Sequence, residues 1–362
     1  MTVRWLIAPQ ELKGTLTAHQ AAQVMQEAVH AARPDVEVDV APLADGGPGT
    51  VDALLSALPG ERRWVTVQDA LGRPVRAAFA LLEGGRTAVV EMAAACGLSL
   101  LAPAERNPLR TSTHGVGELM RAALDAGCER LIVGLGGSAT NDGGAGALAA
   151  LGMRLLGEGA RPLPPGGAAL RGLTFVDASG LHPRLSQVEL VLATDVTSPL
   201  TGPDGASRLF GPQKGASEAQ VQELELALTH FASLTAPARM GEPGAGAAGG
   251  LGFGLALVGG RYTSGFGLLA QVLGLEARVA AAGRVLTAEG RFDRQTALGK
   301  GPGALALLAR TLSRPITLFC GSAAPDAPTG LFDEVLPLAA GCDAAQALRE
   351  AVLHWAGTRQ RG

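Results

Sequence analysis

A chain of 362 residues, 47% apolar and 17% charged, is too apolar to be disordered and too long for one compact core, so two domains or one domain with a large insertion are expected. Its 51 glycines follow no triplet period, which excludes collagen, and a net charge of −3 removes the electrostatic case for nucleic acid or anionic lipid. A small-molecule ligand is the default expectation. The cysteines Cys96, Cys128, Cys320 and Cys342 form neither a CxxC pair nor a zinc spacing, which points to a reducing compartment and so to the cytoplasm. The apolar stretch 5–8 is too short for a signal-peptide core. The 18 uncharged residues 243–260 include eight glycines and lack the hydrophobicity of a membrane span.

Residues 3–8 (VRWLIA) read as a buried strand. The loop PQELKGTL leads to Thr17 and Gln20, spaced as a capping box, and Ala21, Val24, Met25, Ala28, Val29 and Ala32 recur at helical spacing until Pro34. Residues 36–43 alternate as a second strand that ends in an Asp-Gly-Gly turn, after which Thr50 caps a short helix to residue 58. The middle reads as a second α/β domain. It has strands at 64–67, 76–82 and 87–91, a helix near 115–125, and an apolar strand at 131–135 leading into GGSATNDGGAG. A small-residue helix running to residue 156 and a strand at 189–193 follow. The far end returns to β-α alternation, with a strand at 284–287, a helix at 303–311, strands at 316–320 and 334–338, and a helix at 343–355. The two ends together supply five strands, the count of a flavodoxin-like doubly wound sheet. The expected fold class is therefore α/β, with a flavodoxin-like domain of residues 1–61 plus 276–362, an inserted α/β domain of 62–275, and the active site in the cleft where they meet.

Of 30 basic residues 27 are arginine, and the lysines are Lys13, Lys214 and Lys300, each followed by glycine. A compact ammonium beside flexible backbone amides suits phosphate. Lys13 lies in the turn between the first strand and the first helix, where amides and the helix dipole favour an anion. Asp45 ends the second strand and can ligate Mg²⁺ or take a proton, although an aspartate before Gly-Gly is equally an ordinary turn. GGSATNDGGAG (136–146) offers glycine amides, Ser138, Thr140, Asn141 and Asp142, a set that suits a phosphate cradle with a metal-side carboxylate. Asp195 terminates a strand, and Lys214-Gly215 follows a Gly-Pro turn. In LTAEGRFDRQTALGKG (286–301), Glu289, Arg291 and Asp293 sit together, and Arg291 either clamps a carboxylate or balances the acids beside it. Gly244, Gly246 and Gly249 spell G-x-G-x-x-G, but no strand precedes them and no acid follows at the required distance, so a dinucleotide site is not expected. The six histidines lack metal spacing, and no G-x-S-x-G elbow is present.

In this order and spacing the five segments resemble the bacterial glycerate kinase family often called type I. GGSATNDGGAG and FGPQKGA carry the resemblance most specifically, and it covers nearly the whole chain. It implies ATP-dependent phosphorylation of D-glycerate, usually to 2-phosphoglycerate, with Mg²⁺. The roles expected are these: Lys13, Lys214 and Lys300 hold ATP phosphates with the amides of Gly136 and Gly137, beside Ser138, Thr140 and Asn141. Asp45, Asp293 or Glu289 holds Mg²⁺ through water. Asp195 accepts the hydroxyl proton, with Lys13 and Asp45 at the same reacting centre. Arg291, with Lys13, binds the glycerate carboxylate. The three aspartates are interchangeable at this level. ATP and D-glycerate are the expected partners of a monomer or homodimer, with no nucleic acid or membrane.

The sequence also departs from the family pattern. Gln10, Glu11 and Leu12 precede Lys13 where P-D-S-F-K-G is usual, and Pro48 stands where Glu is usual. Ser198 replaces Asn and Ala288 replaces Gly. Glu11 is the available substitute for one of the lost acids. Two competing functions remain, a kinase of another small hydroxy acid and a binding protein that kept the fold and lost turnover.

Overall fold

The computed structural model describes residues 3–12, 14–44, 46–294, 296 and 301–359. Strand β1 (Val3–Ile7) leads to helix α1 (Ala18–Ala32), whose capping box forms as spaced: the Gln20 amide donates to Thr17 Oγ1 at 3.2 Å and the Thr17 amide to Gln20 Oε1 at 3.0 Å. Strand β2 (Val36–Val40) and α2 (Thr50–Ala57) complete the opening. The middle of the chain holds β3 (Gly60–Gln68), β4 (Pro74–Leu82), β5 (Thr87–Glu91), α3 (Met92–Cys96), α4 (His114–Asp125), β6 (Arg130–Gly134) and α5 (Ala145–Ala150). It continues with β7 (Arg154–Leu156), β8 (Phe175–Asp177), β9 (Glu189–Ala193), α6 (Ala206–Phe210), α7 (Glu218–Thr235), α8 (Ala247–Leu257) and β10 (Arg261–Thr263). The end comprises α9 (Gly265–Val272), α10 (Leu275–Ala281), β11 (Arg284–Phe292), α11 (Gly301–Thr311), β12 (Ile316–Ala323), β13 (Glu334–Pro337) and α12 (Ala344–Gly357). None of the described helices is long and apolar enough to cross a membrane.

These elements form two compact units, one of Met1–Asp45, Asp52–Ala57 and Phe266–Gly362, the other of Gly46–Val51 and Leu58–Gly265. In the first, five strands run in the order β13-β12-β11-β1-β2 and every pair is parallel. This is the flavodoxin-like order that the strand count implied. Strand order reverses between β1 and β11, so their carboxyl ends flank the switch point at which open α/β sheets bind ligands. An aromatic cluster seals one face: Trp355 of α12 lies 5.5 Å from Trp5 and 5.8 Å from Phe319, centroid to centroid. Arg278 of α10 grips Asp39 of β2 at 2.9 and 2.5 Å, and this hydrogen-bonded guanidinium holds the Asp39 carboxyl below its usual range.

In the second unit a six-stranded sheet runs β10-β9-β6-β5-β4-β3. The pairs β3–β4 and β4–β5 are antiparallel, whereas β5, β6, β9 and β10 pair in parallel. The helix expected to run to residue 156 stops at Ala150. Gly152 turns at φ +104°, and a Cβ there would lie 2.0 Å from the Gly180 carbonyl oxygen, so the chain folds back tightly and residues 154–156 pair with β8 instead. The strand expected at 284–287 continues to Phe292, which puts Glu289 and Arg291 inside β11 and not in the loop after it.

Candidate active site

Four parallel strands of the second unit, β5, β6, β9 and β10, present their carboxyl ends along one edge of the sheet. At the end of β5, the Glu91 carboxylate accepts the Val51 amide at 2.6 Å. From β6 leaves the loop GGSATNDGGAG, and from β9 leaves Asp195, half-buried. Past the end of β10, Ser264 Oγ donates to Asp195 Oδ1 at 2.7 Å, while the Thr194 amide donates to Thr263 O at 3.0 Å. The carboxylate is thereby held at a fixed place on the strand end.

Glycine lets three segments close together here. The Gly136 amide donates to Gly46 O at 3.0 Å. A Cβ on Gly46, which turns at φ +84°, would lie 2.4 Å from Ala193 O, and one on Gly136 would lie 2.4 Å from Gly47 Cα. Residues 46–50, 136–146 and 193–195, far apart in sequence, therefore share one sheet edge because their backbones touch where any side chain would intrude.

The glycine loop has an outer and an inner half. Gly137 is exposed at φ +75° and Ser138 is half-buried, whereas Thr140, Asn141 and Asp142 are 0%, 0% and 1% exposed. The Asn141 side-chain Nδ2 donates to Ser207 Oγ at 2.9 Å. Asp142 accepts the Thr113 amide at 2.8 Å, the Thr113 hydroxyl, and the amides of Gly144 and Gly146 at 3.1 and 3.2 Å. Burial nonetheless raises the Asp142 carboxyl above its ordinary value. Lys214 lies beneath the same loop, 2% exposed, with Nζ donating to Thr140 O at 2.7 Å. Burial pushes its ammonium down to about 7, against the opposing pull of Asp142. Among the described residues Thr140 Oγ1 and Asn141 Oδ1 are buried without a hydrogen-bond partner. Direct contact with a nucleotide, expected of Thr140, Asn141 and Lys214, would require these buried side chains to become exposed; Lys214 Nζ and the Asn141 side-chain NH2 also hold partners, and the Gly136 amide is likewise engaged.

In the first unit the turn after β1 is tied to β11, the Gln10 amide donating to Ala288 O at 2.8 Å. Glu289 is 8% exposed and accepts the Thr296 hydroxyl at 3.1 Å. Arg291, its side chain 71% exposed, pairs with Asp293 at 3.4 Å, so of the two roles open to it in sequence the acid-balancing one is occupied here. Lys13, Asp45 and Lys300 lie outside the described residues. No group of three His, Cys, Asp or Glu side chains among the described residues suits a metal ion. Glu289 and Asp293, hard oxygen donors at one strand end, fit the one or two carboxylates that Mg²⁺ takes when phosphates supply its other ligands.

Sequence inspection missed Ser264, Thr113, Ser207 and Glu91. Ser264 had a faint signal, a hydroxyl directly after a short β-prone run. The others act on partners at least 29 residues away.

The sequence model of the Glycerate kinase family matches residues 5–357. The chain is 45% identical to a glycerate kinase of Bacillus subtilis (strain 168), across 89% of this chain and 85% of that one. It is 42% identical to a glycerate 2-kinase of Escherichia coli (strain K12), across 89% and 86%. A solved structure from Salmonella typhimurium LT2, assigned as glycerate kinase 2, superposes with a TM-score of 0.83 at 40% identity, covering 99% of this chain and 97% of that one.

Proposed function

Since this chain belongs to the glycerate kinase family, whose members are phosphotransferases, we propose that it transfers the γ-phosphoryl group of ATP to D-glycerate, giving 2-phosphoglycerate and ADP. The observation that carries the site assignment is the meeting of Gly46–Gly47, Gly136–Ser138 and Asp195 on one carboxyl edge. Phosphoryl transfer asks the protein for positioned phosphates, spread charge and a group to take the alcohol proton. In the step proposed, the glycerate hydroxyl oxygen bonds to the γ-phosphorus as the bond to the β,γ-bridging oxygen breaks, and the hydroxyl proton passes to Asp195. Ser264 supports that role by fixing the orientation of the carboxylate through one of its oxygens.

Gly137 and Ser138, at the outer half of the loop, face the phosphates in this scheme, with Lys13 and Lys300 supplying charge. Thr140, Asn141 and Lys214 serve by holding the loop from beneath. Arg291 exchanges Asp293 for the glycerate carboxylate, a bidentate pairing that guanidinium geometry favours. Mg²⁺, held by Asp293, Glu289 or Asp45 with the nucleotide phosphates, would offset the negative charge of the transferring group. A cytoplasmic setting completes the proposal.

An ADP-release assay with D-glycerate tests it. Asp195→Asn is expected to lower kcat by roughly 10²–10⁴-fold with ATP affinity nearly unchanged, and wild-type turnover in that variant would reject Asp195 as the base. Heat on titrating glycerate without turnover would favour a binding protein, and faster turnover of another hydroxy acid would reassign the acceptor.

A further inference from the structure

We propose that a partly enclosed chamber in the second unit receives the purine nucleoside end of the phosphoryl donor, an assignment that rests on the kinase function above and deepens it. The chamber has a volume of about 430 Å³, within the range of roughly 300–1,000 Å³ typical of small-molecule sites. It belongs to the same sheet edge as Asp195. Strand β3 is antiparallel to β4 and β4 to β5, so the β3–β4 turn, residues 69–73, falls at the end where β5 and β6 finish, and this turn forms one wall. Asp142, Ala145 and Gly146 from the inner half of the glycine loop form another. The loop thus runs from Gly137 and Ser138, at the strand end, to the chamber. A nucleotide lying along it would keep its phosphates at the outer half and carry its base inward.

Size and polarity select the donor over the acceptor. Leu155 and Leu163 make the walls largely carbon, which suits a flat aromatic base better than a small hydroxy acid whose surface is mostly polar. At the rim Arg110 is exposed, and no ion pair joins its guanidinium to another described residue. A planar guanidinium there can stack on a base or meet a phosphate.

Ala149 lines the chamber from an exposed position on α5, so Ala149→Trp fills the space without entering the core. In the full-length protein it is expected to raise the Kd for ADP, measured by calorimetry, and the KM for ATP by about tenfold or more. The kcat at saturating ATP and the KM for D-glycerate should stay within about twofold. Adenosine should compete with ATP in the unaltered protein and lose that competition in Ala149→Trp. Arg110→Gln, on the exposed rim, should shift ATP affinity in the same direction and carries the test should Ala149→Trp fold poorly. Unchanged ADP affinity in folded variants would overturn the assignment, as would absence of ADP binding to the unaltered protein. ADP binding that is sensitive to Ala149→Trp, without phosphorylation of glycerate, would leave the chamber standing and reject the kinase function.

Discussion

Lys214 shows how a single residue departs from what its type prefers. A lysine ammonium is costly to bury, and this one is 2% exposed with a backbone carbonyl as its hydrogen-bond partner and Asp142 as the nearby opposing charge. The neutral amine still has N–H groups to donate to Thr140 O, more weakly than the ammonium, so the contact survives deprotonation. Its ordinary value of 10.5 falls to about 7 in the folded chain, so between those values the unfolded chain binds more protons and stability rises with pH. Below about pH 7 the lysine is protonated in both states and the increment is gone. The raised Asp142 carboxyl works in the other direction, its contribution falling as pH climbs past the ordinary carboxylate value. Calorimetric Tm measured from about pH 7 to about pH 10 should therefore rise in the unaltered protein relative to Lys214→Met. Parallel profiles would contradict the buried position. The polar residues of GGSATNDGGAG were visible in the sequence, but their depth was not. Thr140 and Asn141 go inward because Lys214 and Ser207, 74 and 66 residues further on, supply their partners, and no local pattern encodes that.

At the scale of elements, glycine decides where strand ends meet. Gly249 turns at φ +68° with its α-hydrogen aimed at Thr140 O, the carbonyl that Lys214 holds, and a Cβ would sit 2.0 Å from it. Gly49 turns at φ +90°, and a Cβ there would meet nothing within 4 Å beyond its chain neighbours. Alanine at Gly49 should cost only the backbone strain, about 1–2 kcal/mol, whereas Gly249→Ala should cost about 3 kcal/mol or more, because a backbone must move as well. Urea melts measure the difference, and equal midpoints would mean that the loop gives way without cost. Elements with a strong local signal were legible: the capping box at Thr17 and Gln20 starts α1, and the apolar run 88–90 gives β5, which is buried on both faces. The end of α5 is not legible locally, because the turn at Gly152 is set by its approach to Gly180, a contact no window of neighbouring residues contains. The capping box at Ser217 and Gln220, which starts α7, is an equally local signal.

For the whole molecule, burial sorts the thiols. Cys96, Cys128 and Cys320 are buried, and burial pushes Cys96 up to about 12 and Cys320 up to about 11, while Cys342 is exposed. A thiol reagent should titrate one group rapidly in the native protein and all four after unfolding; a second fast thiol would contradict this packing. By itself the sequence determined that the two chain ends build one parallel sheet, since β-α alternation with apolar strands permits little else, and that order formed as β13-β12-β11-β1-β2. It also determined which segments carry phosphate-type chemistry, because small, charged and hydroxyl residues crowd there without serving a core. Only the tertiary structure decided which of those residues are reachable and which are struts. Exposure, hydrogen-bond partners and backbone clearance are properties of chain segments brought together by folding, and at the edge where Gly46, Gly136 and Asp195 meet those segments come from three separate parts of the chain.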